Sequence, residues 1–401
     1  MELLLLYTAC VILLVSSLYL LRLFADARHN LPPGPRPLPL IGNILDLGAQ
    51  PHRSLARLAE RHGPLMTLRL GAVTTVVAST VFSVDLADDD DDVPGGGSSA
   101  SASAGDFRGM ISEFASVVGV PNVSDFFPVV APLDLQRLRS RVARVLKWLH
   151  ATFDVLIERR LRERESGEPP KSDFLDVLLD YRSPEDGQGF DRQTLLFLFM
   201  DLFTAGSDTS AITVEWVMAE LLQNPESMAK ARDELDRVIG SKSEIEESDI
   251  SQLNYLEAIV KETLRLHPPA PLLLPRQAET TTEVGGYTVP KGTRVLVNVW
   301  AIGRDSKVWS EPDKFMPERF LQSEVDLRGR NFEFTPFGSG RRICPGLPLA
   351  VRMVHLMLAS LLHRFEWSLP PEVEKNGVDM MEKFGMILEL ATPLKAIATP
   401  I

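Results

Sequence analysis

Cysteine is nearly absent. Two residues in 401, Cys10 and Cys344, cannot build the disulfide framework on which small secreted domains rely. Cys10 lies in an apolar leader, so Cys344 has no plausible disulfide partner. An excess of positive charge is lacking too: 42 Lys and Arg against 54 Asp and Glu give a net charge of −12, and no reason to expect nucleic-acid binding. The seven histidines show no metal-ligand spacing. His355 and His363 read as packed or edge residues of a helix. A glycine-rich phosphate loop of any strength is missing, which argues against NADPH binding in this chain.

What is present begins with residues 3–21, an uncharged run of ~28 Å as a helix, enough to cross a bilayer. A cleavable signal peptide needs a shorter apolar core and a small-residue cleavage site, which this run does not offer. Glu2 precedes the run and Arg22, Arg28 and Arg36 follow it, so the positive-inside rule leaves everything after it in the cytosol. The expected organisation is a transmembrane anchor over 1–24, a stiff proline-rich hinge over 25–40 and one domain over 41–401.

Within that domain, 66–70 and 74–78 flank Gly71 as a short hairpin. Residues 86–105 are an acidic, Gly/Ser-rich loop with too little apolar material to fold alone. Helical periodicity covers 107–165, broken at Pro121, Pro128 and Pro132, and then 174–240. A further helix spans 249–266, short β-rich pieces occupy 286–289 and 294–299, and 347–363 reads as an apolar, buried helix. The fold class is mainly α with small β-sheets.

The segment Phe337-Gly-Ser-Gly-Arg-Arg-Ile-Cys-Pro-Gly346 presents the cysteine on a glycine-rich loop running into that last helix. Unsatisfied N–H groups at the helix start and the neighbouring Arg341 and Arg342 favour negative charge on the sulfur. Gly338, Gly340 and Gly346 let the backbone approach something flat. A thiolate held this way suits the axial position of a haem iron. Upstream, Ala205-Gly-Ser-Asp-Thr-Ser210 interrupts a long apolar helix, and Leu202, Ala205, Gly206, Thr209 and Thr213 share one face. Two readings stay open there: a groove over a flat cofactor, or a helix bent by Ser and Thr bonding back to carbonyls. Glu262 and Arg265 are helix neighbours and, taken alone, read as an exposed ion pair.

Together these motifs resemble the cytochrome P-450 superfamily of haem-thiolate monooxygenases, whose oxygen-activation motif the 205–210 segment matches at every specified position. The resemblance implies haem b with Cys344 as the iron ligand, Phe337 packed on the ligand loop, and Arg342 on a propionate. It makes Arg276 a second propionate partner, although a plain surface arginine is an equal reading. It also implies Thr209 and Asp208 as the groups handling protons at oxygen. Glu262 and Arg265 would form a buried network with Arg319, from Phe315-Met-Pro-Glu-Arg-Phe320. Expected partners are NADPH–cytochrome P-450 reductase, O2, a small lipophilic substrate and the endoplasmic reticulum membrane. Leu202, Ala205, Leu272, Leu273, Leu274, Phe384 and Ile387 are the candidate substrate pocket.

The resemblance runs from the leader to the C-terminus but has a hole of about a hundred residues near 79–80, too large for loop trimming. The absent part holds a Trp-x-x-x-Arg propionate contact; Trp300 and Arg304 have that spacing at the wrong place. The expected fold is therefore that of the family without part of the N-terminal half of the catalytic domain. The alternative to a working enzyme is a haem-poor, catalytically impaired product. A peroxide-rearranging enzyme is disfavoured by Asp208 and Thr209. The wording of the 205–210 and 336–350 segments looks most like the plant group that includes geraniol 8-hydroxylase, which implies hydroxylation of terpenoids or related specialised metabolites.

Overall fold

The computed structural model describes residues 30–79, 110, 113–114, 116–171, 173–240, 242 and 245–401. The expected anchor, the start of the hinge and the 86–105 loop lie outside the described residues. In chain order the elements include α1 (Pro51–His62), β1 (Leu65–Leu70), β2 (Val73–Ala78), α2 (Leu138–Glu165), α3 (Phe174–Asp180), α4 (Arg192–Gln223), α5 (Pro225–Val238), α6 (Glu247–Ile250) and α7 (Asn254–Leu266). Then follow β3 (Arg276–Gln277), β4 (Thr282–Val284), β5 (Tyr287–Val289), β6 (Arg294–Val297), α8 (Val299–Ile302), α9 (Leu347–Arg364), β7 (Phe365–Ser368), β8 (Glu382–Phe384), β9 (Leu388–Leu390) and β10 (Ile397–Pro400). Helices dominate and the sheets are small.

The chain forms two compact units, divided within α4 between Thr209 and Ser210. In the smaller unit, Val145, Leu149, Phe153 and Met200 make one apolar cluster and Ile157, Leu178 and Leu195 another. Arg160, about one-tenth exposed, ties α2 to α3 through Asp173 and Asp176 at 2.7 and 2.9 Å.

In the larger unit β1 and β2 form the hairpin around Gly71, whose φ of +60° and proximity to Phe126 O exclude a side chain. The sheet order is β1-β2-β6-β3, with β2 and β6 parallel. This sheet delivers Asn298 to the start of α8, where its side chain accepts from Ala301 N and donates to His52 O on α1. The strand expected over 294–299 ends at Val297 because Asn298 caps that helix. The main core joins the C-terminal half of α4 to α5, α7 and α9 through Val217, Leu235, Leu256, Ile259 and Leu358.

Two helical expectations need correction. The helix expected over 249–266 is two helices. Glu234 reaches from α5 to accept the backbone N–H groups of Tyr255 and Leu256, which have no intrahelical partner, so α7 starts afresh at Asn254. The 347–363 helix is buried along one face only: Val354, His355, Leu358, Ala359 and Leu362 are inside, while Leu349 and Met353 are exposed. Its C-terminal part packs on α5 and α7; its first turn follows the cysteine loop.

Candidate active site

The loop ahead of α9 folds back on itself. Cys344 N donates to Phe337 O at 2.9 Å, Gly338 N to Thr335 O at 2.9 Å and Ile343 N to Gly340 O at 3.2 Å. Gly338 and Gly340 adopt φ of +74° and +69°, which side chains rarely accept. Cys344 is a half-buried free thiol immediately before the first turn of α9. A Cβ built on Gly346 would stand 3.7 Å from Cys344 Sγ. One built on Gly338 would stand 3.9 Å from Arg276 Nη2, 3.9 Å from Leu273 Cδ1 and 3.8 Å from Arg342 O. Phe337 packs against the main core, the cluster that also holds Phe320 and Phe334.

The structure thus brings Cys344, Phe337, Gly338, Gly346, Arg342, Arg276 and Leu273 to one place. An accessible soft sulfur, flanking positions without side chains and the nearby Arg276 guanidinium fit a flat, anionic, iron-bearing ring such as haem. Among the described residues no cluster of three or more His, Cys, Asp or Glu offers a rival metal site. Leu272 instead packs into the apolar cluster under the β1–β2 hairpin, and Leu274 is 83% exposed, because the 271–275 turn points its three leucines in different directions.

A second constellation lies on α7. Glu262 and Arg265 are fully buried, so an exposed pair is excluded. Arg265 binds both carboxylate oxygens of Glu262 at 2.7 and 2.8 Å, and Arg319 Nε reaches Oε1 at 2.9 Å. Met316 N donates to the same oxygen at 2.8 Å. The remaining Arg265 donors close on the carbonyls of Gly303, Pro312 and Lys314.

Leu202, Ala205, Gly206, Asp208 and Thr209 belong to the α4 half in the smaller unit. Ala205, Gly206 and Ser207 are exposed, and a Cβ on Gly206 would meet nothing within 4 Å. Thr209 Oγ1 donates to Ala205 O at 2.6 Å, and Thr204 Oγ1 to Met200 O at 2.6 Å, the back-bonding pattern that bends helices. Among the described residues α4 is the helix long and apolar enough to cross a membrane, by length and composition alone.

Sequence reasoning missed two contributors. Gly329, at φ +69°, lies under the loop: a Cβ there would meet Gly338 O at 2.5 Å and Ser339 Cα at 2.8 Å. Glu382 is buried at the start of the hairpin that carries Phe384 and Ile387, and nothing in the spacing announces its partners.

The cytochrome P-450 family profile matches residues 32–92 and 72–395. Similar curated proteins include geraniol 8-hydroxylase of Swertia mussotii, 39% identical over 486 positions covering 95% of this chain and 96% of that protein. Geraniol 8-hydroxylase of Catharanthus roseus is 39% identical over 494 positions, with 98% and 100% covered. Carnosic acid synthase of Rosmarinus officinalis is 37% identical over 477 positions, with 92% of each chain covered. All three aligned spans exceed the 401 residues available, so these relatives hold residues this chain lacks. With matches of that extent, the chain belongs to the cytochrome P-450 family of haem-thiolate monooxygenases.

Proposed function

We propose that this chain, anchored in the endoplasmic reticulum membrane by residues 1–24, hydroxylates a small terpenoid or a related specialised metabolite. It takes electrons from NADPH–cytochrome P-450 reductase. The observation that carries the reading is the free Cys344 thiol, set among Gly338, Gly346, Arg276 and Arg342 at the start of α9. Cys344 would ligate the haem iron, and Arg342 and Arg276 would hold the propionates. Once bound, haem supplies the one-electron and O2 chemistry that no side chain can.

The chain's own residues handle position and protons. As a thiolate, Cys344 would donate electron density to the iron. The small, exposed Ala205 and Gly206 leave open space along their face of α4, and Asp208 and Thr209 would hold and pass protons. For that, the Thr209 hydroxyl must turn from Ala205 O, a single χ1 rotation. Thr209→Ala is expected to keep haem and substrate binding but lower product formed per NADPH consumed by about tenfold or more. Peroxide release measured against product checks this, and unchanged coupling counts against the role.

A haem-poor product of the same lineage is the second reading, favoured by the residues missing relative to the aligned proteins. The two-piece family match, meeting within 72–92, supports placing the gap near 79–80. Reducing the purified chain under carbon monoxide separates the readings. A strongly red-shifted Soret band is expected for the enzyme; absence of haem supports the alternative. Titration with geraniol is then expected to shift the ferric spectrum, and silence of a haem-replete chain toward every terpenoid removes the substrate assignment.

A further inference from the structure

The β8–β9 hairpin presents Phe384 and Ile387 on either side of its turn, and each strand has its own anchor. On β8 the anchor is Glu382, nearly fully buried. Its Oε2 accepts from Arg53 Nε at 2.7 Å and Nη2 at 2.6 Å, and from His52 Nε2 at 3.0 Å. Its Oε1 accepts from Trp300 Nε1 at 2.9 Å, and its backbone O from Gln50 Nε2 at 3.1 Å. A carboxylate only accepts, so His52 must carry its proton on Nε2, which leaves its buried Nδ1 without a hydrogen-bond partner. On β9 the anchor is Leu388: its O accepts from Trp216 Nε1 at 3.1 Å and its N donates to Pro269 O at 2.8 Å.

His267 links the two anchors. Its ring lies flat on Trp216, with centroids 3.9 Å apart and planes within 2°. Nε2 bonds Glu220 at 2.8 Å, while Nδ1 stands 3.9 Å from Glu382 Oε1. The contact with the hairpin's candidate substrate residue is direct, since the His52 ring stacks on Phe384 at 5.5 Å and 19°. Ile387 packs with Ile212, Trp216 and Leu390 around the β9 anchor.

Burying a carboxylate among groups drawn from α1, α7, α8 and β8 is costly unless the charge is paired. Here four donors from His52, Arg53 and Trp300 occupy its acceptor sites. Burial pushes the Glu382 carboxyl up, but His267, His52, Trp300 and the Arg304 charge outweigh it and hold it well below the usual carboxylate range. Arg304, stacked 4.0 Å over the Trp300 ring, is itself pulled down to about 10 by burial. Residues from three separate segments, His52 and Arg53, His267, and Trp300 and Arg304, thus converge on one carboxylate at the base of the hairpin.

We infer that Glu382 is a positioning residue: clamped by His52, Arg53 and Trp300, it fixes the hairpin and thereby decides which carbon of a bound substrate meets the oxidant. This rests on the proposed reading in which Phe384 and Ile387 face the substrate. The test uses the full-length chain with Glu382→Gln, which keeps shape but loses charge, and Trp300→Phe, which removes one donor and keeps an aromatic ring under Arg304.

Deuterium exchange is expected to rise about tenfold or more at residues 381–391 in both variants, with α5 unchanged. The ratio of hydroxylated products from geraniol is expected to shift while the carbon monoxide spectrum stays the same. Exchange that is unaltered, or raised equally throughout the chain, overturns the clamp. So does a loosened hairpin with an unchanged product ratio. If the unaltered, haem-replete chain ignores geraniol, the terpenoid reading falls, while exchange at the hairpin still decides whether Glu382 clamps it.

Discussion

Replacing Cys344 with serine is expected to abolish the red-shifted carbon monoxide band and all monooxygenase turnover. The substitution leaves the loop intact, because the bonds that shape it run through backbone: Cys344 N to Phe337 O, Gly338 N to Thr335 O, Ile343 N to Gly340 O. Serine satisfies the same pattern and exposes no new apolar surface. What changes is the ligand. A thiolate is anionic and soft, whereas the serine hydroxyl is neutral at pH 7 and a poor donor to iron. Cys344→His is the informative companion, since an imidazole can hold haem iron without the thiolate's electron push. It is expected to bind haem with an unshifted carbon monoxide band and no hydroxylation. Thermal melting of both apoproteins should match that of the unaltered apoprotein. A serine chain that keeps both the band and the chemistry defeats the assignment of Cys344.

How far the site was legible depends on whether its causes are local. The cysteine loop could be read because glycine, arginine and cysteine at fixed spacing constrain backbone and charge within ten residues. Gly329 could not, since its reason is the carbonyl of Gly338, a contact only the fold brings about. The helical character of 249–266 was plain, but its break is imposed by the carboxylate of Glu234 on another helix. Glu262 and Arg265 alone pointed to solvent; their burial follows from Arg319 and from the carbonyls of 303–314 closing over them. The Glu382 cluster draws on residues 50–53, 267, 300 and 304, and no periodicity connects these. Threonine hydroxyls offered two readings, and in this structure the hydroxyl of Thr209 bonds to its own helix.

Glu262→Ala is expected to destabilise the larger unit by about 3–5 kcal/mol, since it leaves two buried guanidinium groups facing no carboxylate. The loss does not stop at the ion pair. Arg265 and Arg319 hold the carbonyls of Gly303, Ser310, Pro312 and Lys314, so the loop from α8 to Phe320 hangs on the charge of Glu262. That loop supplies Trp309 and Phe320, which pack with Phe334 at ring separations of 5.1 to 6.4 Å. Phe337, whose carbonyl receives Cys344 N, packs against the same apolar core that holds Trp309, Phe320 and Phe334. Weakening the α7 network therefore reaches the ligand loop through packing, and haem content should fall together with the urea midpoint. Glu262→Gln preserves shape and the Met316 N–H bond, so it should lose less than the alanine variant. Glu318→Ala, which removes the partly exposed partner of Lys230 and of the Tyr255 hydroxyl, should cost less, about 1–2 kcal/mol. If Glu262→Ala costs as little as Glu318→Ala while haem stays bound, the network is not what braces the cysteine loop. The support must then come from the aromatic packing alone.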